Sequence, residues 1–201
     1  MPTYNYNAIK TLVASRIPSH RQFIFLPWAL ALLLIGATGS SFAEDSPDDF
    51  ARQTKATHLI NFAHYIEWPH TAFENSENPV VIGVIGAASL AEELARISPA
   101  HDIGKRTIVI KRLTTGDESA KVHILYIGRR AEAALQEWLA TIEAQPMLTV
   151  CDATHELAHT CAVKFLFDDD RLRFDISLPA AERSGIKITA PLLTVARQVD
   201  E

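Results

Sequence analysis

Cysteine is scarce in this chain, with 2 in 201 residues. That is too few for a four-thiolate zinc site or for a framework of several disulfide staples. Glycine and proline, at 8 and 10, fall far short of a collagen-like or low-complexity tract. Positive charge is in deficit, with 19 Lys and Arg against 24 Asp and Glu, for a net charge of −5. A general nucleic-acid binder needs a dense basic face to displace counterions from phosphate, so nucleic acid is excluded as a partner. No Gly-x-Ser-x-Gly elbow, Walker loop or dinucleotide fingerprint occurs, and Gly83 and Gly86 are too sparse to make one. No nucleophile, base and acid set stands out, so no catalytic residue is assigned and no cofactor is expected.

What the chain does have is 48% hydrophobic residues, enough for a core in one domain's worth of sequence. Its first 43 residues read as an export signal instead. Lys10, Arg16 and Arg21 form a basic leader without a single acid, and an apolar run of 13 residues, Phe23 to Ile35, follows. Ser41 and Ala43 then supply small residues at the −3 and −1 positions before Glu44. The run is shorter than the roughly 20 residues needed to span hydrocarbon, which favours cleavage over a retained anchor. The sequence therefore divides into a signal peptide at 1–43 and a body at 44–201. The leader holds three cations and no acid, so the remaining 158 residues carry −8. The body holds no second apolar stretch of spanning length, and the expected location is the periplasm. An oxidising compartment lets a cysteine pair close, and it disfavours ATP- or NAD-dependent chemistry.

Periodicity in the body alternates between 3.6 and 2. Residues 50–67 carry Leu59, Phe62, Ala63 and Ile66 at helical spacing, stopped by Trp68-Pro69. Val80 to Ile85 is a continuous apolar, mostly β-branched run, the pattern of a strand buried on both faces. Ala88 to Ile97 reads as a helix opened by Ser89. Thr107–Ile110 and Val122–Ile127 read as strands, Glu132–Glu143 as an amphipathic helix on Leu135, Leu139 and Ile142, and Met147–Val150 as a strand. Ala162–Phe167 and Leu172–Ile176 flank the acidic turn Asp168-Asp-Asp-Arg171 and read as a hairpin. The tail, Pro179 to Arg197, begins helical, breaks at Gly185, and ends in an apolar turn after Pro191. The sum predicts an α/β layered fold with a mixed, largely parallel sheet flanked by helices and a C-terminal β-hairpin.

Four ordered segments then match a known family. Lys55-Ala-Thr-His-Leu-Ile-Asn-Phe-Ala-His-Tyr-Ile-Glu-Trp-Pro69 resembles the opening helix of the YfiR family, Val81–Gly86 its first strand, and Leu148-Thr-Val-Cys-Asp152 the strand bearing its cysteine. Arg173 to Ala196 resembles its C-terminal block, with Asp175-Ile-Ser177 where Glu-Ile-Asn is more usual. The resemblance implies a periplasmic α/β protein that binds the sensor domain of an inner-membrane diguanylate cyclase and represses it, lowering cyclic-di-GMP and biofilm formation. It also implies disulfides and a possible homodimer, although only one cysteine pair is present here. The motif candidates it marks are Asn61, Glu67, Trp68, Arg173, Arg183 and Gly185. Asn61 and Glu67 are expected to hydrogen-bond the chain as it turns into the sheet, and Trp68 to fill core.

Other readings stay open beside it. Cys151 and Cys161 can close an 11-residue loop, either as a structural staple or as a redox switch. His155 and His159, four apart, have the spacing of two metal ligands on a helix face, but no apolar periodicity supports a helix there, so no metal is assigned. Asp168–Asp170 lack the alternating ligand loop of a calcium site. Arg183, next to Ser184-Gly185, is placed either to clamp a carboxylate or phosphate or to make a surface ion pair with Glu182 or an aspartate. An open α/β sheet offers a crevice at the carboxyl ends of its strands, where a small effector could bind. The rival functions are a periplasmic solute-binding module serving a transporter or sensor, and a periplasmic hydrolase.

Overall fold

The apolar run at 80–85 has no polar side to present to water, so it must be covered on both faces. In the computed structural model of the protein it is the strand β2 (Val80–Ile85), buried along its whole length near the middle of an eight-stranded sheet. The structure describes residues 47–201 apart from 118–120, 131–134, 143–144 and 170, all within the unit Asp45–Glu201. The expected leader therefore lies outside the described residues.

The other strands are β3 (Asp102–Ile103), β4 (Arg106–Leu113), β5 (Ile124–Ile127), β6 (Leu148–Asp152), β7 (Val163–Asp168), β8 (Arg171–Ser177) and β10 (Gln198–Asp200). Their order across the sheet is β10-β8-β7-β6-β5-β2-β4-β3. The five strands from β4 to β7 run parallel, while β7 with β8 and β3 with β4 pair antiparallel. A separate two-stranded ribbon joins β1 (Ile66–Glu67) to β9 (Lys187–Ile188). Helices α1 (Pro47–Phe62), α2 (Ala88–Ile97), α3 (Leu135–Ile142), α4 (Leu178–Arg183) and α5 (Ala190–Val195) complete the α/β architecture.

Alternation along the strands sorts the core into two layers. Val80, Ile82 and Val84 of β2, Ile124 and Tyr126 of β5, and Leu148 and Val150 of β6 join Leu59 and Phe62 of α1 and Leu90 and Leu94 of α2. Val81 and Ile85, Leu125 and Ile127, and Cys151 point the other way, onto Leu135 and Trp138 of α3, Met147, Leu157 and Cys161.

Several expected boundaries move. The first helix begins at Pro47 and ends at Phe62; Ile66 is buried as expected, but as a strand residue opposite Ile188. The turn after α1 closes through His64 N–H to Asn61 O and Tyr65 N–H to Phe62 O. Ser89 does not cap α2, because the capping position is Ala87 and Ser89 sits within the first turn. Only Leu135–Ile142 of the expected 132–143 helix can be compared, since Glu132–Ala134 and Glu143 lie outside the described residues. The hairpin turn is tighter than the acidic run suggests, with Asp168 and Arg171 already paired across the strands and Asp169 at φ 48°. Left-handed backbone of that kind is tolerated by Asp because its short side chain bonds locally. The strands β3 and β10 have too few residues to show a period, and both lie at the edges of the sheet.

Candidate functional site

Helical spacing alone assembles one wall of the site. Asp48, Ala51, Arg52 and Lys55 stand at i, i+3, i+4 and i+7 on α1, hence on one face. That face borders a crevice of about 630 Å3 at the carboxyl ends of the parallel strands. The opposite wall comes from the loops after β2 and β5. The chain leaves β2 toward β4 on one side and leaves β5 toward β6 on the other, so the crevice sits where the strand order reverses. In open α/β sheets this is the position at which ligands bind.

Two glycines hold the loops together. Gly86 takes φ 71°, which a side-chain-bearing residue adopts reluctantly. A Cβ on Gly128 would fall 2.6 Å from both Ala87 Cβ and the Gly86 carbonyl oxygen. Backbone bonds lock that contact, with Gly128 N–H donating to Ile85 O at 2.8 Å and Arg130 N–H to Gly86 O at 3.3 Å.

At the floor lies a buried polar cluster. Asp152, the last residue of β6, accepts from Lys55 Nζ at 2.5 Å and from the Tyr126 hydroxyl at 3.2 Å on one oxygen; Arg129 Nε stands 3.5 Å from the other. Lys55 and Asp152 are both nearly buried, so each needs the other: a desolvated charge without a partner costs several kcal/mol. Burial and the adjacent carboxylate push the Tyr126 hydroxyl far above the usual phenol range, keeping it a neutral donor. Lys55 also reaches toward the exposed ring of Phe167, 6.0 Å from its centroid.

The cluster is tied to the disulfide. Cys151, one residue before Asp152, is bonded to Cys161 with a Cα–Cα distance of 6.2 Å, and both are fully buried on the opposite face. The loop between them contains the two histidines. His155 Nδ1 accepts from Leu157 N–H, and His159 Nδ1 lies 3.3 Å from the Glu156 carbonyl, in a loop with one turn of 3-10 helix at Ala158–Thr160. Among the described residues no group of three His, Cys, Asp or Glu side chains converges on a metal-sized point.

The six motif candidates do not meet in one place. Glu67, Trp68 and Gly185 border a groove of about 660 Å3 beside the β1–β9 ribbon. Asn61 and Arg173 line a smaller hollow of about 310 Å3 with His58 and Tyr65. Arg183 is exposed at the rim of a third, of about 500 Å3, between α3 and α4, and among the described residues it makes no ion pair with Glu182 or an aspartate. Asn61 offers its carbonyl rather than its side chain to the turning backbone, and Glu67 pairs with Lys187 across the ribbon at 3.4 Å. Trp68 is only half-buried, packing edge-on against Phe73 and His123 with its indole N–H unpartnered. The substituted Asp175 is satisfied by a two-pronged bond from Arg197, at 2.8 and 2.5 Å.

Lys55 and Asp152 escape a reading by motif because they lie 97 residues apart, one opening its segment and the other closing another. The one available signal is that each is a charged residue at the border of an apolar, family-like block.

His123 makes a second polar cluster at the amino end of β5. Its Nδ1 accepts from Val81 N–H at 3.0 Å, which leaves Nε2 to donate to Ala72 O at 3.1 Å, so the ring is neutral. Phe73 stacks on it at 4.3 Å, with the Arg106 guanidinium on the far side of that ring. Burial, helped by Arg106 and Lys111, holds the imidazole below its ordinary value despite the bond to Ala72.

Comparison with known proteins agrees with this architecture. A family model described as YfiR/HmsC-like matches residues 52–197. The crystal structure of a conserved domain protein from Vibrio cholerae O1 biovar eltor is similar, with a TM-score of 0.51 at 15% identity over 74% of this chain and 60% of that one. At that identity the likeness concerns the fold alone, and this chain spans 60% of that protein's length.

Proposed function

The chain belongs to the YfiR/HmsC-like family, whose members are periplasmic, non-catalytic regulators of diguanylate cyclase signalling, and from that premise we propose that it binds the periplasmic sensor domain of an inner-membrane diguanylate cyclase and represses it. Residues 1–43 export the protein and are removed, leaving 44–201 as the working unit. The observation that carries the reading is the family match across 52–197, which starts within α1, takes in every element through α5 and stops just short of β10. Among the described residues no helix is long and apolar enough to cross a membrane.

Repression of this kind needs no chemistry. A protein that binds the inactive sensor conformation better than the active one shifts the population toward the inactive state. Moving a 1:99 mixture to 99:1 takes a preference of about 10⁴-fold, well within what a protein interface supplies. The motif residues around the Glu67–Trp68–Gly185 groove are the proposed contact region, and a homodimer is the proposed working form. The crevice at the strand ends favours a second reading, a solute-binding module serving a transporter or sensor.

Affinity capture of the tagged mature protein from membrane extract separates the two. Recovery of a membrane protein with a cytosolic cyclase domain supports repression, and recovery of a transporter component supports delivery. Deleting the gene should raise cyclic-di-GMP and surface attachment; unchanged levels would defeat the repressor reading.

A further inference from the structure

The crevice carries charge of the opposite sign to the molecule. The chain bears −5 overall, yet the lining holds four cations, Arg52, Lys55, Arg129 and Arg130, against Asp48, Glu92 and Asp152. The balance at its centre is more lopsided. Asp152 is already neutralised by Lys55 at 2.5 Å, and Glu92 stands 3.5 Å from Arg112. Arg52 is occupied by Asp49. What remains is a pair of adjacent guanidiniums against the single carboxylate of Asp48. Arg129 is 74% exposed, and its contact with Asp152, at 3.5 Å, is too long for a good hydrogen bond and leaves most of its five donors free. Arg130 is exposed and makes no ion pair among the described residues.

Their backbone is fixed although their side chains are free. The Gly128 and Arg130 amides are pinned to the last residue of β2 and to Gly86 after it, so the two arginines start from a rigid base at the switch point. Facing them is the first turn of α2, which has no side-chain cap. Paired guanidiniums suit an oxyanion with several oxygens, because each planar fork takes two acceptors at once. Lys55 plays a positioning part: by cancelling the buried acid it leaves the arginines to set the sign of the site.

The geometry points to a binding site for a small phosphate-type oxyanion, inorganic or as a monoester, gripped by Arg129 and Arg130 at the carboxyl ends of β2 and β5. This goes beyond the proposed repression and does not depend on it, since the test requires only the mature protein and its ligand.

Thermal unfolding of the protein is followed against inorganic phosphate, with chloride and succinate at matched ionic strength and glycerol phosphate as the monoester probe. Phosphate at ten times its Kd raises Tm by about 3–6 °C. Arg130→Gln, at an exposed side chain with no ion pair to lose among the described residues, keeps the unliganded Tm and weakens phosphate binding on the order of tenfold or more by calorimetry. Arg129→Gln weakens it similarly, and Lys105→Gln, in the turn between β3 and β4, leaves it unchanged. A larger response to glycerol phosphate than to phosphate identifies a monoester as the ligand, and the reverse identifies the inorganic ion. No rise beyond that given by chloride, an equal rise with succinate, or full binding by Arg130→Gln overturns the site.

Discussion

The two faces of the sheet reach burial by different means. The face under α1 and α2 is wide and aromatic: the Phe62 ring packs against Phe165 and Phe174 with centroids 5.7 and 5.2 Å away, surrounded by aliphatic side chains from β2, β5, β6 and both helices. Among the described residues the face under α3 has a dozen buried hydrophobic side chains, two of which are the bonded cysteines. Apolar contact stabilises most of the first in proportion to the area removed from water, with the Lys55–Asp152 pair at one end of it. On the second, part of the cover is a loop, residues 152–161, with only a short turn of helix of its own. A covalent link there lowers the entropy of the unfolded chain instead of adding contact area. The comparison teaches that a sheet with unequal cover can be balanced by a constraint on the chain as well as by packing.

The largest effect should come from the wide face. Phe165→Ala, which empties a fully buried site shared with Phe62 and Tyr126, is expected to lose about 3–5 kcal/mol in urea unfolding. The corresponding break on the narrow face is the double change Cys151→Ser and Cys161→Ser, expected to cost about 3 kcal/mol. If that loss were near zero, the loop would be held by packing and the contrast between the faces would fail. Lys55→Met tests the polar end of the wide face: it strands a buried carboxylate and should cost about 3 kcal/mol, with much of it recovered by adding Asp152→Asn.

Gly83→Ala probes how tightly the narrow face is filled. The new methyl would lie 2.5 Å from Leu113 Cδ1 and 2.8 Å from Val122 Cγ1, both side-chain atoms that can give way, so about 1–2 kcal/mol is expected. The smallest effect is on pH. His123 and His58 are both held below the ordinary imidazole value by burial, so near pH 6 the unfolded chain binds more protons than the folded one. Stability should be full above about pH 7 and fall as the pH drops through 6.5 toward the lowered folded values. Tm at pH 7.5 should exceed Tm at pH 5.5, and His123→Gln should shrink that difference even though it lowers both values.

Much of this fold is legible in the sequence. The run at 80–85 and the alternation through 122–127 and 147–150 mark buried parallel strands, because two covered faces leave no room for polar positions. The hairpin at 163–177 announces itself through its acidic turn. What escapes is what local pattern does not encode. Ile66-Glu67 continues a helical period yet pairs with Lys187-Ile188, a tertiary preference that outweighs spacing. The strand β10 is three residues long, and its place beside β8 depends on Arg197 finding Asp175. The candidate site is least legible of all. The motif residues scatter over three hollows, whereas the buried Lys55–Asp152 pair joins positions that only the sheet order brings together.

Full burial of the bridge between Cys151 and Cys161 also governs how it would respond to a reductant. A dithiol cannot attack a sulfur it cannot reach, so cleavage has to wait for the covering loop or α3 to lift away. At high dithiothreitol the reduction rate should therefore level off at the frequency of that opening event. A stopped-flow trace that plateaus would report the breathing of the narrow face directly.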